Sequence, residues 1–282
     1  MIRILTDSAA DFEPKELEEL NVDCIPLTVS FGDEEYKDNV DLPKGRFYEL
    51  LSSRKEFPKT SQPSPAQFEE AILSAKAAGD EIVIITISSG LSGTVGSARI
   101  AKKMTGYERC YIVDSLCATG GERLMVEYAA RLRDEGMGGR EIAEAVSRAR
   151  HKITLYACID TLEYLYKGGR ISRSVYAIGS VAQIKPILHV DAEGRAEIPS
   201  KALGMRRGMQ YLGKRLEEFK PDLSFPFYIM YTSSLEMAYQ LIGFLEKNHL
   251  LPPNFKAPIQ VGSTVGSHIG SDACGMVYIS QG

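Results

Sequence analysis

Residues 86–94 read T-I-S-S-G-L-S-G-T, and they directly follow the apolar run Ile82–Ile85. Such a short, β-branched run is typical of a strand that is buried on both faces of a sheet. The small residues from Val95 to Ala101 come next and can begin a helix. This stretch therefore predicts a strand, a hydroxyl-rich turn and a helix, which is the repeating unit of parallel α/β sheets.

The turn itself is a candidate binding site. Gly90 and Gly93 would let backbone N–H groups come close to a ligand, and the N-terminus of the following helix favours a negative group. Side-chain hydroxyls are supplied by Ser88, Ser89, Ser92 and Thr94. A plain βα loop whose serines cap the helix is the alternative. Because four hydroxyls and two glycines occur within nine residues, we favour an anion or carboxylate site.

Two other predicted strands of the first 150 residues also end in polar side chains. Ile2–Leu5 leads into Asp7 and Ser8, and Tyr111–Val113 leads into Asp114 and Ser115. The pattern predicts a parallel, helix-covered sheet whose strand ends share one edge. Between these units, the alternating stretch Cys24–Phe31 predicts one further strand.

The pattern of the chain changes near Arg150. Beyond this residue, strands alternate with helices less regularly, and Asp191–Gly194 predicts a hairpin turn. The sequence therefore predicts two α/β domains, an N-terminal parallel-sheet lobe at residues 1–150 and a C-terminal mixed-sheet lobe at residues 151–282. A ligand is expected in the cleft between them, since clefts of this kind are favoured binding sites.

Composition excludes several classes of protein. The 282 residues carry a net charge of −4 and are 44% hydrophobic and 25% charged, which is typical of a globular protein without a basic surface for nucleic acid. No apolar run has the length of a membrane helix, and the first strand begins too early for a signal peptide. Five scattered cysteines predict buried thiols in a reducing cytoplasm. No His or Cys pair has the spacing of a metal site.

Three further polar segments each allow two interpretations. Residues 60–62 read T-S-Q between Pro58 and Pro63, which indicates a stiff extended segment, either a solvated linker or a ligand contact. The basic, glycine-bearing stretch at residues 167–173 is either a solvated loop or a contact for a phosphate or an acidic partner. His268 lies in a glycine-rich stretch, where structural and functional roles are equally plausible.

Seven motifs in order along the chain resemble those of the DegV family of bacterial fatty-acid-binding proteins. The motifs span nearly the whole chain and lie at Leu5–Asp11, Thr60–Ser64, Ser88–Thr94, Val113–Ser115, Leu162–Ser172, Lys185–Leu188 and Val265–Gly270. The resemblance implies two α/β lobes with one long-chain fatty acid between them. It also implies that some members present the acyl carboxylate to a separate fatty-acid kinase, which forms an acyl-phosphate.

The resemblance carries over to individual residues. Thr60 and Ser92 match the hydroxyls that bind the carboxylate, and His268 matches a histidine close to it. Arg170 and Arg173 match the basic motif near the kinase surface of kinase-coupled members. Neighbouring candidates for the carboxylate are Ser61, Ser89 and Gly93. The family usually continues Pro-Gly after the last motif, where this chain has S-D-A-C at residues 271–274.

An enzyme is the alternative to a binding protein. Ser89 or Ser92 together with His268 could serve acyl or phosphoryl transfer. However, the G-x-S-x-G turn of one large hydrolase fold is absent, and no pair of a base and its orienting group is evident in the sequence. We therefore expect a binding protein with no catalytic residue, cofactor or metal of its own.

Overall fold

The computed structural model describes residues 1–179 and 183–281. In the first half of the chain the elements are β1 (Ile2–Asp7), α1 (Pro14–Leu20), β2 (Val22–Ile25), β3 (Thr28–Phe31), β4 (Glu34–Lys37), α2 (Lys44–Ser53), β5 (Lys59–Ser61), α3 (Pro65–Ala78), β6 (Glu81–Thr86), α4 (Thr94–Thr105), β7 (Cys110–Asp114), α5 (Gly120–Asp134) and α6 (Gly139–Ala149). In the second half they are β8 (Ile153–Cys158), α7 (Glu163–Lys167), α8 (Arg173–Gly179), β9 (Ile184–Val190), β10 (Ala196–Leu203), α9 (Gly204–Glu218), β11 (Tyr228–Tyr231), α10 (Leu235–Lys247), β12 (Ile259–Gln260), α11 (Ser263–Ile269) and β13 (Cys274–Ile279).

The predicted parallel sheet is confirmed. Its strand order is β2-β1-β6-β7, and all neighbours run parallel. The run Ile82–Ile85 in β6 is completely buried, as expected for an interior strand with both faces covered. The polar ends of β1, β6 and β7 therefore lie side by side at one edge of the sheet.

The prediction of one strand over Cys24–Phe31 is wrong. The stretch contains two strands of different sheets, β2 in the parallel sheet and β3 in a small antiparallel sheet of order β4-β3-β5. Pro26 and Leu27 separate them. Since Pro26 has no N–H to donate to a ladder, the chain leaves the first sheet there and enters the second.

The mixed sheet of the C-terminal half is also confirmed, with strand order β10-β9-β8-β13-β11-β12. The neighbours are antiparallel except for the parallel pair β11 and β12. The predicted hairpin turn joins β9 to β10. The last strand, β13, lies in the interior of the sheet, where it pairs with β8 and β11.

One apolar cluster connects the two halves. Helix α5 contributes Leu124, Met125 and Ala129 to it, the parallel sheet contributes Val83, and the mixed sheet contributes Val277. The parallel sheet thus takes its strands from before residue 150 and the mixed sheet from after it, while the apolar core between the two sheets is continuous. The division into two domains stays a prediction. In residues 1–179 and 183–281, no helix combines the length and the apolar character that a membrane crossing requires.

Candidate functional site

An apolar cavity lies where the two halves of the chain meet. The space between its lining atoms is ≈ 840 Å³, which includes its opening to solvent. Residues from both halves line it, and most of their side chains are apolar. Among these are Leu27, Ile87, Leu91, Ala118, Leu155, Ala157, Leu165, Leu188, Val190, Ala196, Met230, Val261, Val265 and Ile269. A cavity with this mostly apolar lining suits an apolar ligand with few polar groups.

The floor of the cavity is a row of residues across the mixed sheet. Leu188, Ala157, Gly275 and Met230 are register partners in β9, β8, β13 and β11, and all four line the cavity. The two middle residues, Ala157 and Gly275, are the smallest of the row. They leave space above the sheet that larger side chains would occupy.

Four polar residues of the lining form what we call the polar cluster, namely Thr60, Ser92, Arg170 and His268. The closest contact in the cluster is a hydrogen bond of 2.8 Å between Thr60 Oγ1 and His268 Nε2, which joins residues 208 positions apart. Thr60 lies on β5 of the small antiparallel sheet, and His268 lies in the last turn of α11. The extended segment and the glycine-rich stretch of the sequence therefore meet at the cavity.

His268 is neutral at physiological pH. Burial, aided by the positive charge of Arg170, lowers its pKa to about 3. Its Nδ1 atom is buried and has no hydrogen-bond partner among the described residues. Gly168 makes this position possible, because a Cβ atom there would lie 2.1 Å from His268 Nδ1. No feature of the sequence pointed to this role of Gly168.

The serine-rich turn is held by the carboxylates at the ends of the neighbouring strands. Asp7 Oδ2 accepts from the N–H of Ile87 at 2.9 Å, and Asp114 Oδ1 accepts from the N–H of Ser89 at 3.1 Å. The N–H groups of Leu91 and Ser92 donate to the carbonyl oxygen of Ser88. These amides are therefore bound within the protein, which differs from the expectation that they approach a ligand.

The hydroxyl of Ser92 remains as the polar group that the turn offers to the cavity. Its Oγ lies 2.9 Å from Thr94 Oγ1 at the start of α4. Either hydroxyl of this pair can be the donor, so the Ser92 hydrogen can point to Thr94 or to a ligand. The predicted helix is confirmed, and it fixes the position of this hydroxyl.

Arg170 is partly buried and is hydrogen-bonded to the backbone. It is half-buried, and its Nε donates to the carbonyl oxygen of Leu91 at 2.9 Å, while Nη1 donates to that of Gly168. Burial lowers its pKa. No carboxylate among the described residues pairs with this guanidinium, which leaves further N–H donors for an anion. The resemblance had implied only a partner surface for Arg170, and its place in the cavity was missed.

Arg170 and Ser92 also line a second, more open depression, which we call the outer groove. The groove is formed by residues 89–93, residues 169–172, Val175 and residues 195–198. Two residues of the polar cluster, Ser92 and Arg170, therefore border both the apolar cavity and a solvent-facing groove.

The other candidate residues lie outside the cavity lining. Ser89 and Gly93 border the outer groove, and Ser61 is exposed beside Thr60 on β5. Arg173 is exposed at the start of α8. Asp272, in the segment that departs from the family pattern, is exposed and accepts from the Ser271 hydroxyl at 2.7 Å. It does not line the cavity.

The arrangement for serine-dependent chemistry is not formed by the described residues. The ring of His268 hydrogen-bonds to Thr60 and to neither Ser89 nor Ser92, and no carboxylate orients its second nitrogen. Across residues 1–179 and 183–281, no group of three or more His, Cys, Asp or Glu side chains is arranged to hold a metal ion.

Comparisons with known proteins agree with this architecture. The model of the DegV family of uncharacterised proteins matches residues 1–281. A DegV domain-containing protein of Caldanaerobacter subterraneus is 30% identical over 278 residues, which cover 98% of each chain. Two solved structures are similar. One is a DegV family protein from Thermus thermophilus described for its fatty-acid binding, with 27% identity, a TM-score of 0.89 and 99% coverage of each chain. The other is DegV from Bacillus subtilis, a fatty-acid-binding protein, with 26% identity, a TM-score of 0.84 and 99% coverage of each. The chain belongs to the DegV family.

Proposed function

We propose that this protein binds one long-chain fatty acid in the cavity, with the carboxylate at the polar cluster and the tail among the apolar residues. The observation that carries the proposal is the cavity itself, whose mostly apolar lining also includes Thr60, Ser92, Arg170 and His268. Two similar solved structures are described as fatty-acid-binding proteins, which supports the same ligand class here.

The chemistry of the polar cluster suits a carboxylate. Burial of the tail is favourable by about 0.8 kcal/mol per CH₂, but an unpaired buried charge is very costly. Thr60 and Ser92 supply hydroxyl donors, and Arg170 supplies a positive charge that no carboxylate of the described residues pairs with. If His268 carries its proton on Nε2, it donates to Thr60 Oγ1 and leaves the Thr60 hydroxyl hydrogen free for the ligand.

We further propose that the protein presents the carboxylate to a separate fatty-acid kinase and does not itself catalyse a reaction. The outer groove supports this role, because it shares Ser92 and Arg170 with the cavity and opens to solvent. Arg173 lies close by in sequence and would contact the partner. The five free cysteines are consistent with a cytoplasmic protein.

Native mass spectrometry tests the ligand directly. Protein purified from bacteria should carry a co-purified fatty acid of about 14–18 carbons, the range that the resemblance to the DegV family suggests, and burial of such a tail is favourable. After delipidation, it should rebind hexadecanoic acid at one molecule per chain. Delipidated, folded protein that takes up no such acid would contradict the proposal.

A further inference from the structure

The helix that carries His268 is fixed at its start by a carboxylate from a distant part of the chain. Asp38 follows β4 and is 1% exposed. Its Oδ1 accepts from the N–H of Ser263 at 3.2 Å and from the Ser263 hydroxyl, and its Oδ2 accepts from the Thr264 hydroxyl at 2.6 Å. Ser263 and Thr264 are the first residues of α11. A carboxylate at this position satisfies donors that the helix cannot satisfy itself, and its charge is favoured there.

Other side chains of the N-terminal half complete this anchor. The Ser8 hydroxyl donates to Asp38 Oδ2 at 2.9 Å. Asp11 Oδ1 accepts from the N–H of Gly262 at 2.9 Å, and the Tyr48 hydroxyl donates to the carbonyl oxygen of Val261 at 2.9 Å. Residues 261–264 are therefore attached to the first 50 residues of the chain by side chains, with Asp38 accepting the largest share of the bonds.

The far end of α11 is attached to the same part of the molecule. His268 meets Thr60 on β5, and β5 belongs to the same small sheet as β4, which Asp38 follows. The helix has only seven residues, or about 10 Å of length. A shift at its start is therefore passed to the His268 ring, because so short a helix moves as one body.

We propose that Asp38 is a positioning residue for the carboxylate site. It does not line the cavity, and it acts by fixing the start of α11 so that His268 meets Thr60 in the geometry that frees the Thr60 hydroxyl for the ligand. The inference rests on the proposed function, since it assumes that the polar cluster binds a carboxylate.

The substitution Asp38→Asn separates this role from simple packing. It keeps the size of the side chain and one acceptor oxygen, but it replaces Oδ2 by an NH₂ group that faces the hydroxyls of Ser8 and Thr264. The matched control is Asp33→Asn, which changes an exposed acid in the turn between β3 and β4.

The experiment measures the affinities of delipidated protein for hexadecanoic acid and for hexadecan-1-ol, which has the same tail without the charge. Asp38→Asn should weaken binding of the acid about tenfold and binding of the alcohol less than about twofold. In a double-mutant cycle, Asp38→Asn added to His268→Ala should cost less than about twofold more, because both changes remove the same interaction. Asp33→Asn should change neither affinity.

Ser263→Ala is the second variant, for use if Asp38→Asn does not fold. It removes one donor to Asp38 from the helix side and should weaken binding of the acid about threefold. Equal losses for acid and alcohol, or additive losses in the cycle, would overturn the positioning role while wild-type binding stands. Wild-type protein that binds neither ligand would overturn the proposed function, and the inference with it.

Discussion

The substitution Gly168→Ala should weaken fatty-acid binding although it is a favourable change for the backbone. Gly168 ends α7 with φ −74° and ψ −9°, a conformation that alanine adopts readily. The added Cβ atom, however, would lie 2.1 Å from His268 Nδ1 and 2.7 Å from Cε1. The histidine ring must give way, because the other close neighbour is the Tyr164 carbonyl oxygen of the helix itself.

The size of the effect follows from the displacement. Ordinary contact begins at 3.4 Å, so the ring must move by about 1.3 Å, the difference from 2.1 Å. A hydrogen bond of 2.8 Å to Thr60 does not survive such a shift. The loss of one hydrogen bond next to a charged ligand corresponds to about 1–2 kcal/mol, or about five- to thirtyfold in affinity.

Isothermal titration of delipidated protein with hexadecanoic acid measures this change. Gly243→Ala is the matched control, because Gly243 lies within α10 and a Cβ atom there meets nothing within 4 Å. Both variants should fold, and only Gly168→Ala should lose affinity. If Gly168→Ala binds the acid as tightly as Gly243→Ala does, His268 has no part in holding the carboxylate.

Three further results are expected. Across a series of saturated acids, each CH₂ removed from the tail should weaken binding up to about fourfold, and an affinity independent of tail length would contradict a buried tail. Arg173→Ala should reduce acyl-phosphate formation with a purified fatty-acid kinase while fatty-acid affinity stays unchanged, and Arg148→Ala should alter neither; a loss of affinity would place Arg173 in the binding site instead. The pKa of His268 is about 3 in the folded protein against 6.5 ordinarily, so its neutral form contributes fully to the free energy of unfolding above pH 6.5. This contribution should decrease as pH is lowered from 6.5 towards 3, by at most about 1.4 kcal/mol per pH unit. Burial raises the pKa values of Asp7 and Asp11 to about 7, and these two groups change the stability in the opposite direction. The free energy of unfolding of the wild type must therefore be compared with that of His268→Gln at each pH. A difference between the two proteins that stays the same from about pH 7 to about pH 4 would refute the lowered pKa of His268.

The parallel sheet could be predicted from sequence because its signals are local. Each of β1, β6 and β7 is an apolar run followed by an acid or hydroxyls, and a strand buried on both faces needs no information from distant residues. The break at Pro26 was missed for the opposite reason. An alternating pattern shows which residues face a core, but it does not show to which of two sheets they belong.

Helix α11 is stabilised by residues that are distant in sequence, so its own sequence does not predict it. Gly266 lies inside this seven-residue helix and argues against it by propensity, while Gly262 and Gly270 flank its two ends. The structure forms it because Asp38 caps its start and Thr60 holds its end. Thr60, Ser92 and His268 could be selected by resemblance to known motifs. Gly168 and Asp38 could not, because their roles exist only through contacts with residues more than 90 positions away.

A crystal structure of the delipidated protein soaked with hexadecanoic acid tests the central proposal most directly. We expect continuous density along the cavity, with the carboxylate within hydrogen-bond distance of Thr60 Oγ1 and Ser92 Oγ and with the guanidinium of Arg170 nearby. Density whose carboxylate lies at the opposite end of the cavity, or a ligand bound elsewhere on the protein, would contradict it.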